Sequence, residues 1–182
     1  GEAHFMRAYY YYLLWKKFGG VFIIDRTFDP LTNAEKFPRA SYDEMVEFIV
    51  SEADKAAALL PVEHESISLG RATRGAAIML KAKTYFWASS QVFQNKQKEY
   101  LGFTDDKSSQ MLAKAKEAYD ELFALGQYSL IPIAADTQEG IKNEYRQIFL
   151  TKNSQESIFE VQHSDDGDYA NKFGHKLDRD AA

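Results

Sequence analysis

Six side chains near the end of the sequence combine aromatic rings with carboxylate, amide and imidazole groups in one short segment. Aromatic rings stack on the C–H faces of sugar rings, while carboxylates, amides and imidazoles hydrogen-bond the hydroxyl groups. These residues lie in a polar segment, and exposed loops carry function more often than helices do. We therefore predict ligand contacts from Asp165, Asp168, Tyr169, Asn171, Phe173 and His175. The competing interpretation is a solvated loop that binds nothing, with Phe173 packed against the protein.

The same segment has acidic and histidine side chains that could hold a metal ion. Ca²⁺ prefers oxygen ligands from short acidic loops with a glycine turn, and Asp166-Gly167-Asp168 is a fragment of such a loop. The full spacing and the terminal glutamate are missing. His163 and His175 with an aspartate could imitate a zinc site, but no paired helical spacing supports one. We predict neither a metal nor a cofactor.

The sequence has no motif that indicates catalysis. A glycosidase needs two carboxylates at a controlled separation in one cleft, and the adjacency of Asp165 and Asp166 does not create that geometry. Gly70 and Gly75 have the glycine spacing of a phosphate loop, but two alanines follow them instead of lysine and a hydroxyl residue. A helix start explains this segment better. We predict that the protein is not an enzyme.

The composition is that of one soluble globular domain spanning residues 1–182. The chain has 182 residues, of which 45% are hydrophobic and 27% are charged. Its net charge is -5 with mixed signs, so a nucleic acid would meet no concentrated positive patch. Cysteine is absent, which removes disulfides and thiolate chemistry. Because the chain has neither a starting methionine nor a secretory signal, we expect a fragment of a longer protein.

Spacing of apolar residues predicts four helices, at about residues 2–18, 41–60, 73–93 and 109–125. The first should end at Gly19-Gly20, and the second should begin with a capping box between Ser41 and Glu44. Residues 127–182 are predicted to be irregular, with a short strand at 157–162, where apolar and polar side chains alternate. Such helices in series favour an all-α solenoid of tetratricopeptide-like helix pairs.

The aromatic residues of these helices are predicted to fill the core. Apolar side chains from Ala8 to Leu14 cover almost every face of the first helix, so we expect this stretch to be buried. Trp15, Trp87 and residues 9–12 are interpreted as core rather than as sugar platforms. The small residues around Gly75 should let a neighbouring helix approach closely. Tyr100 and Phe103, in the loop at 94–110, should pack back onto the helices.

Three blocks of sequence resemble the SusD/RagB-like nutrient-binding proteins of bacterial outer membranes, and they occur in the order expected for that family. They are Arg7-Ala8-Tyr9-Tyr10-Tyr11 leading to Phe18-Gly19-Gly20-Val21, then Gly70-Arg71-Ala72-Thr73-Arg74-Gly75-Ala76-Ala77, then Glu156-Ser157-Ile158-Phe159-Glu160-Val161-Gln162. Ser41-Tyr42, entering a helix that ends in Leu59-Leu60-Pro61, is similar too. One departure is Phe22, since the family commonly has proline after Gly-Gly-Val.

The resemblance implies a cell-surface lipoprotein on the extracellular face of the outer membrane. It implies a scaffold of tetratricopeptide-like helix pairs and a partner, a SusC-like TonB-dependent transporter, to which a bound oligosaccharide is delivered. It also implies that the protein is not catalytic, and that this chain is the central part of a longer one whose lipidation cysteine would precede Gly1. A RagB-like peptide-capturing protein and a helical scaffold that binds only protein partners remain alternatives.

Overall fold

A computed structural model describes residues 1–27 and 37–160 of the chain. These residues form five α-helices and, apart from one isolated bridge between Phe22 and Arg39, no β-structure. The helices are α1 (Glu2–Phe18), α2 (Tyr42–Leu59), α3 (Arg74–Ala88), α4 (Ser108–Ala124) and α5 (Gln138–Leu150). Short 3-10 turns occur at Ser66–Ser68 and Gln91–Phe93. The predicted all-α fold class is confirmed.

Each of the first four helices packs on its neighbour in the chain. α2 packs against both α1 and α3, and α3 packs against α4, whereas α1 and α3 touch each other at few positions. The start of α1 lies beside the segment before α3, where Arg71 pairs with Glu2, and the last turn of α1 lies beside Trp87 near the end of α3. The two helices therefore run in the same direction with a shallow groove between them, as in arrays of helical hairpins.

Local signals explain the bounds of α2 and α3. At the start of α2, Ser41 Oγ accepts from the amide of Glu44, and the Glu44 carboxylate accepts from the Ser41 amide, so the predicted capping box is present. α3 ends at Ala88 and not at the predicted residue 93. The Gln94 side-chain amide donates to the carbonyls of Ala88 and Ser90, which stabilises the turn that interrupts the helix.

The interpretation of residues 127–182 as irregular with a strand was wrong in two places. Helix α5 lies within this region, and the Thr137 hydroxyl accepts from the amide of Gly140 to cap its first turn. Residues 157–160 form a turn, in which the Ser157 amide donates to Ser154 O and its hydroxyl donates to Glu160. These local bonds compete with an extended conformation. Residues 161 and 162 of the predicted strand lie outside the described part of the chain.

The expectation that α1 is buried on almost every face was also wrong. Phe5, Ala8, Tyr12 and Trp15 are buried. Tyr10 is 57% exposed, and Leu13 and Leu14 are exposed as well. Helix α1 lies at the edge of the array of α1 to α4, so only one of its faces packs against another helix. The spacing of apolar residues in the sequence did not indicate that the other faces of α1 lack a packing partner among the described helices.

The prediction for the two tryptophans and the loop aromatics has a mixed outcome. Trp15 is in the core, packed on Tyr42, but Trp87 is 37% exposed. Lys16 Nζ lies 4.3 Å from the centroid of the Trp87 ring. Phe103 is buried against Tyr42, as predicted for this loop, and Tyr100 stacks beneath the guanidinium of Arg39. Trp87 is therefore a surface aromatic residue at the end of α3.

Candidate functional site

The six predicted ligand contacts all lie outside the described part of the chain. Asp165, Asp168, Tyr169, Asn171, Phe173 and His175 belong to the segment after residue 160, as do His163, Asp166 and Gly167 of the alternative metal sites. The described chain ends at a corner formed by α1, the start of α3 and the turn at 157–160. This corner is where the polar segment begins.

The three sequence blocks meet at this corner. Phe159 of the third block packs edge-on against Phe5, one turn before Tyr9 of the first block, with ring centroids 5.1 Å apart. Arg71 of the second block donates from Nε and Nη2 to the two carboxylate oxygens of Glu2, at 2.6 and 2.8 Å. Segments that are far apart in the sequence therefore contact one another through aromatic packing and a bidentate ion pair.

The start of α3 is approached both by a neighbouring helix, as predicted, and by a tyrosine outside the helices. Arg74 Nε donates to the carbonyl of Ala57 in α2, while the atoms nearest to Gly75 itself belong to Tyr128, in the segment after α4. A Cβ at position 75 would lie 2.6 Å from Cε2 of Tyr128. Thr73 caps the helix by accepting from the amide of Ala76, and its hydroxyl lies 3.4 Å from that of Tyr128. Any larger residue here would have to displace the tyrosine ring, which occupies the place of a side chain.

A cleft of about 170 Å³ lies beside this corner, and Arg71 and His64 in its wall already have partners within the protein. Arg71 forms the ion pair with Glu2, and the hydrogen bond from Arg71 holds the pKa of the Glu2 carboxyl below its ordinary value. His64 Nε2 lies 2.9 Å from the carbonyl oxygen of Ala72. The cleft is therefore held together by its own contacts, and we assign no ligand to it.

The Phe18-Gly19-Gly20-Val21 part of the first block joins three segments of backbone. Gly19 has φ of 68°, and a Cβ there would clash with the carbonyl oxygen of Tyr100. The Gly20 amide donates to that same carbonyl at 2.7 Å. Arg39 donates to the carbonyls of Gly20 and Phe18, at 2.6 and 2.8 Å. The glycine pair thus allows a close approach of backbone segments, which is a structural role.

Phe22, the departure from the family pattern, lies directly after this turn. Its backbone forms the isolated antiparallel bridge with Arg39, and the neighbouring Val21 carbonyl accepts from the amide of Ala40 at 3.0 Å. The side chain of Phe22 is exposed. The connection is therefore held by backbone hydrogen bonds, without the proline that is common in the family.

A charged cluster beneath α1 explains the arginine of the first block. The Glu52 carboxylate is only 1% exposed and accepts from Arg7 Nε and Lys55 Nζ, at 2.7 and 2.8 Å. His4 Nδ1 lies 2.7 Å from the same carboxylate. Burial opposes ionisation of Glu52, but the hydrogen bonds from Lys55, His4 and Arg7 outweigh it and lower the pKa to about 2. The cluster links α1 to α2.

A groove between α1 and α3 also meets this corner. It has a volume of about 410 Å³, in the range of ligand pockets. Its walls are Phe5, Tyr9 and Tyr12 of α1, Ala76, Met79, Leu80 and Lys83 of α3, and residues 156–159. Sequence reasoning did not find it, although the three- and four-residue spacing of Tyr9, Tyr12 and Lys16 places them along one side of a helix.

Two observations concern metals and membranes. Within residues 1–27 and 37–160, no group of three or more histidine, aspartate or glutamate side chains could hold a metal ion. Among the same residues, no helix has both the length and the apolar composition that crossing a membrane requires.

Comparison with known families and structures gives consistent matches. Residues 1–86 match a family model described as SusD-like, starch-binding and associating with the outer membrane. A SusD-like protein from Bacteroides fragilis is 31% identical, with a TM-score of 0.67 over 91% of this chain and 27% of its own. Comparison with curated proteins gives no match.

Two further solved structures share the fold at lower identity. A SusD-like carbohydrate-binding protein from Bacteroides fragilis is 20% identical, with a TM-score of 0.52 over 71% of this chain and 21% of its own. Surface glycan-binding protein A from Bacteroides uniformis is 21% identical, with a TM-score of 0.56 over 90% of this chain and 30% of its own. The chain thus spans between a fifth and a third of the length of these three structures.

Proposed function

Because the chain belongs to the SusD-like family, we propose that the protein binds oligosaccharides at the cell surface and delivers them to a TonB-dependent transporter in the outer membrane. The observation that carries this proposal is the match of residues 1–86 to the SusD-like family model, supported by 31% identity to a SusD-like structure. The protein acts by binding and has no catalytic role. It needs no cofactor, and its partner is a SusC-like transporter.

The proposal includes the location of the protein. Family members are associated with the outer membrane, and we propose that this protein is held on the extracellular face by a lipid anchor outside the chain described here. A position at the surface allows ligand capture before transport. The transporter then receives the ligand from a rigid array of helices.

The ligand contacts that we propose are the six residues of the polar segment. Asp165, Asp168, Tyr169, Asn171, Phe173 and His175 combine rings for stacking with groups that hydrogen-bond hydroxyls. The segment begins next to Glu160, where the three sequence blocks meet, so the ordered corner would provide a fixed base for it. The proposed contacts are thus supported by the chemistry of the six side chains and by the position of Glu160.

Two alternatives use the same scaffold. A RagB-like protein would capture peptides, and a helical scaffold would bind only protein partners. A partner's peptide would be expected in the inner groove of such an array, but Ile158 and Phe159 of this chain already occupy one end of that groove. This observation favours a small ligand over a long peptide.

Calorimetric titration of the chain with matched panels of oligosaccharides and peptides tests the proposal. We expect an oligosaccharide to bind, and Tyr169→Ala to weaken binding about two- to tenfold through loss of ring stacking. Tyr10→Ala is the matched control, because Tyr10 is an exposed tyrosine on the outer face of α1. Binding of peptides alone would reject the glycan proposal, and capture of a protein other than the transporter, with no small ligand, would favour the scaffold.

A further inference from the structure

Side chains of the described residues close the groove between α1 and α3 at its two ends. Ile158 and Phe159 close the end near the start of the helices. At the other end, Lys16 Nζ lies 4.3 Å from the ring centroid of Trp87 and 5.3 Å from that of Tyr12. The buried side chains of Tyr12 and Leu80 form part of its floor. The space between these limits is a defined pocket and not a continuous surface.

The walls of the groove combine aromatic rings with hydroxyl groups. Tyr9 is half-buried and stacks on Phe5, with ring centroids 6.2 Å apart. Tyr12 lies one turn further along α1, and Trp87 lies just past the far end with part of its ring exposed. Flat rings of this kind pack against the C–H face of a pyranose ring, and the tyrosine hydroxyls can hydrogen-bond its substituents. An apolar peptide side chain would not use these polar groups.

Two lysines lie along the groove. Lys83 lines it and Lys16 borders it; both are exposed, and neither forms an ion pair within residues 1–27 and 37–160. Glu156 is the one acidic side chain among the described residues that line the groove, and it accepts a hydrogen bond from the Ile131 amide at 2.7 Å. Two ammonium groups beside aromatic rings complement a sugar that carries a negative charge.

We propose that this groove binds an anionic sugar residue, with its ring against the tyrosines and its carboxylate or sulfate group between Lys83 and Lys16. This inference rests on the proposed glycan-binding function and adds a second contact region, on the helices. It also names a substrate class, acidic polysaccharides, which the polar segment at 163–175 does not distinguish from neutral ones. Binding would draw Lys16 away from Trp87, because the anion is a stronger partner than the ring.

The test is a titration of the chain with three trisaccharides of equal length, monitored by calorimetry and by tryptophan fluorescence. The first is trigalacturonic acid, the second is a sulfated trisaccharide of galactose, and the third is neutral maltotriose. We expect one or both anionic sugars to bind, with a change in tryptophan emission that Trp87→Phe removes, since Trp87 is exposed and contacts Lys16 whereas Trp15 is buried. Raising the salt concentration should weaken this binding.

Two lysine variants assign the effect to the groove. Lys83→Gln should weaken anionic-sugar binding about tenfold, the loss expected for one charge-assisted hydrogen bond. Lys17→Gln removes the same charge from the outer face of α1 and should have no effect. Both side chains are exposed, so the variants should fold, which circular dichroism verifies.

Each other outcome overturns the inference. If maltotriose binds as tightly as the anionic sugars, or if both lysine variants bind like the wild type, the groove is not an anionic site, while the glycan-binding function stands. If only an acidic peptide binds and Lys83→Gln weakens it, the occupant is a peptide. If no sugar of any kind binds the chain, the proposed function fails together with this inference.

Discussion

Substitution of Gly75 tests how the second sequence block packs against Tyr128, in the segment after α4. A Cβ on this residue would lie 2.6 Å from Cε2 of Tyr128, well inside van der Waals contact, so the ring or the helix start must move. Overpacking of this kind costs about 1–3 kcal/mol, whereas alanine favours a helix over glycine by about 1 kcal/mol. We expect Gly75→Ala to lower the free energy of unfolding by about 0–2 kcal/mol, and the larger Gly75→Leu by about 1–3 kcal/mol.

Removal of the Tyr128 ring should turn the destabilisation by Gly75→Ala into a stabilisation. In a Tyr128→Ala background, the new methyl group meets no ring, so Gly75→Ala should stabilise the protein by about 1 kcal/mol through helix propensity alone. Urea unfolding of the four proteins of this double-mutant cycle gives the coupling energy directly. An identical effect of Gly75→Ala with and without the Tyr128 ring would show that the two residues do not pack as described.

Two further substitutions test contacts that hold the helices together. Glu52→Gln should lower the free energy of unfolding by about 2 kcal/mol, because it weakens the charge-assisted hydrogen bonds that a buried carboxylate accepts from partly exposed cations, and an unchanged urea midpoint would contradict this. Because the folded pKa of Glu52 is about 2, below the ordinary 4.5, its stabilisation is complete above pH 4.5 and is lost as pH falls towards 2. The stability difference between wild type and Glu52→Gln should therefore shrink over that interval, and parallel pH profiles would argue against the cluster. Gly20→Ala should cost about 2 kcal/mol, since its Cβ would meet the Ala40 carbonyl, and a thermal melt like that of the exposed control Lys17→Ala would refute the close approach.

Helices α1 to α4 could be predicted because their signals are local. The Ser41–Glu44 capping box fixes the start of α2, and Gly19 stops α1 because its φ of 68° suits a residue without Cβ. The end of α3 could not be predicted in the same way. It depends on the side chain of Gln94, which reaches back to the carbonyl of Ala88.

Helix α5 shows that amphipathic spacing does not reveal what the apolar face of a helix packs against. Ile141, Tyr145, Ile148 and Phe149 follow helical spacing, but none of them is buried. Amphipathic spacing indicates a helix, and only tertiary contacts show what covers it. The exposed face of α1 at Tyr10 and Leu13 was mispredicted for the same reason.

The groove could not be predicted because its walls come from three separate segments. Tyr9 and Lys83 are 74 positions apart in the sequence, and residues 156–159 are further still.

The family resemblance indicated that the three sequence blocks belong together, but it did not indicate which contacts their residues make. Arg71 and Gly75 have structural partners in Glu2 and Tyr128. The six residues of the polar segment remain a prediction.

Chemical-shift mapping of the isotopically labelled chain, titrated with neutral and anionic oligosaccharides, tests the central claim most directly. The account predicts that a sugar shifts the amide signals of Tyr169 and Asn171, with further shifts near Tyr9 and Lys83 when the sugar is anionic. Signals away from both regions, such as that of the exposed Lys116 on α4, should not move. If no oligosaccharide moves any amide signal, while a peptide or a protein partner does, the glycan-binding account is contradicted.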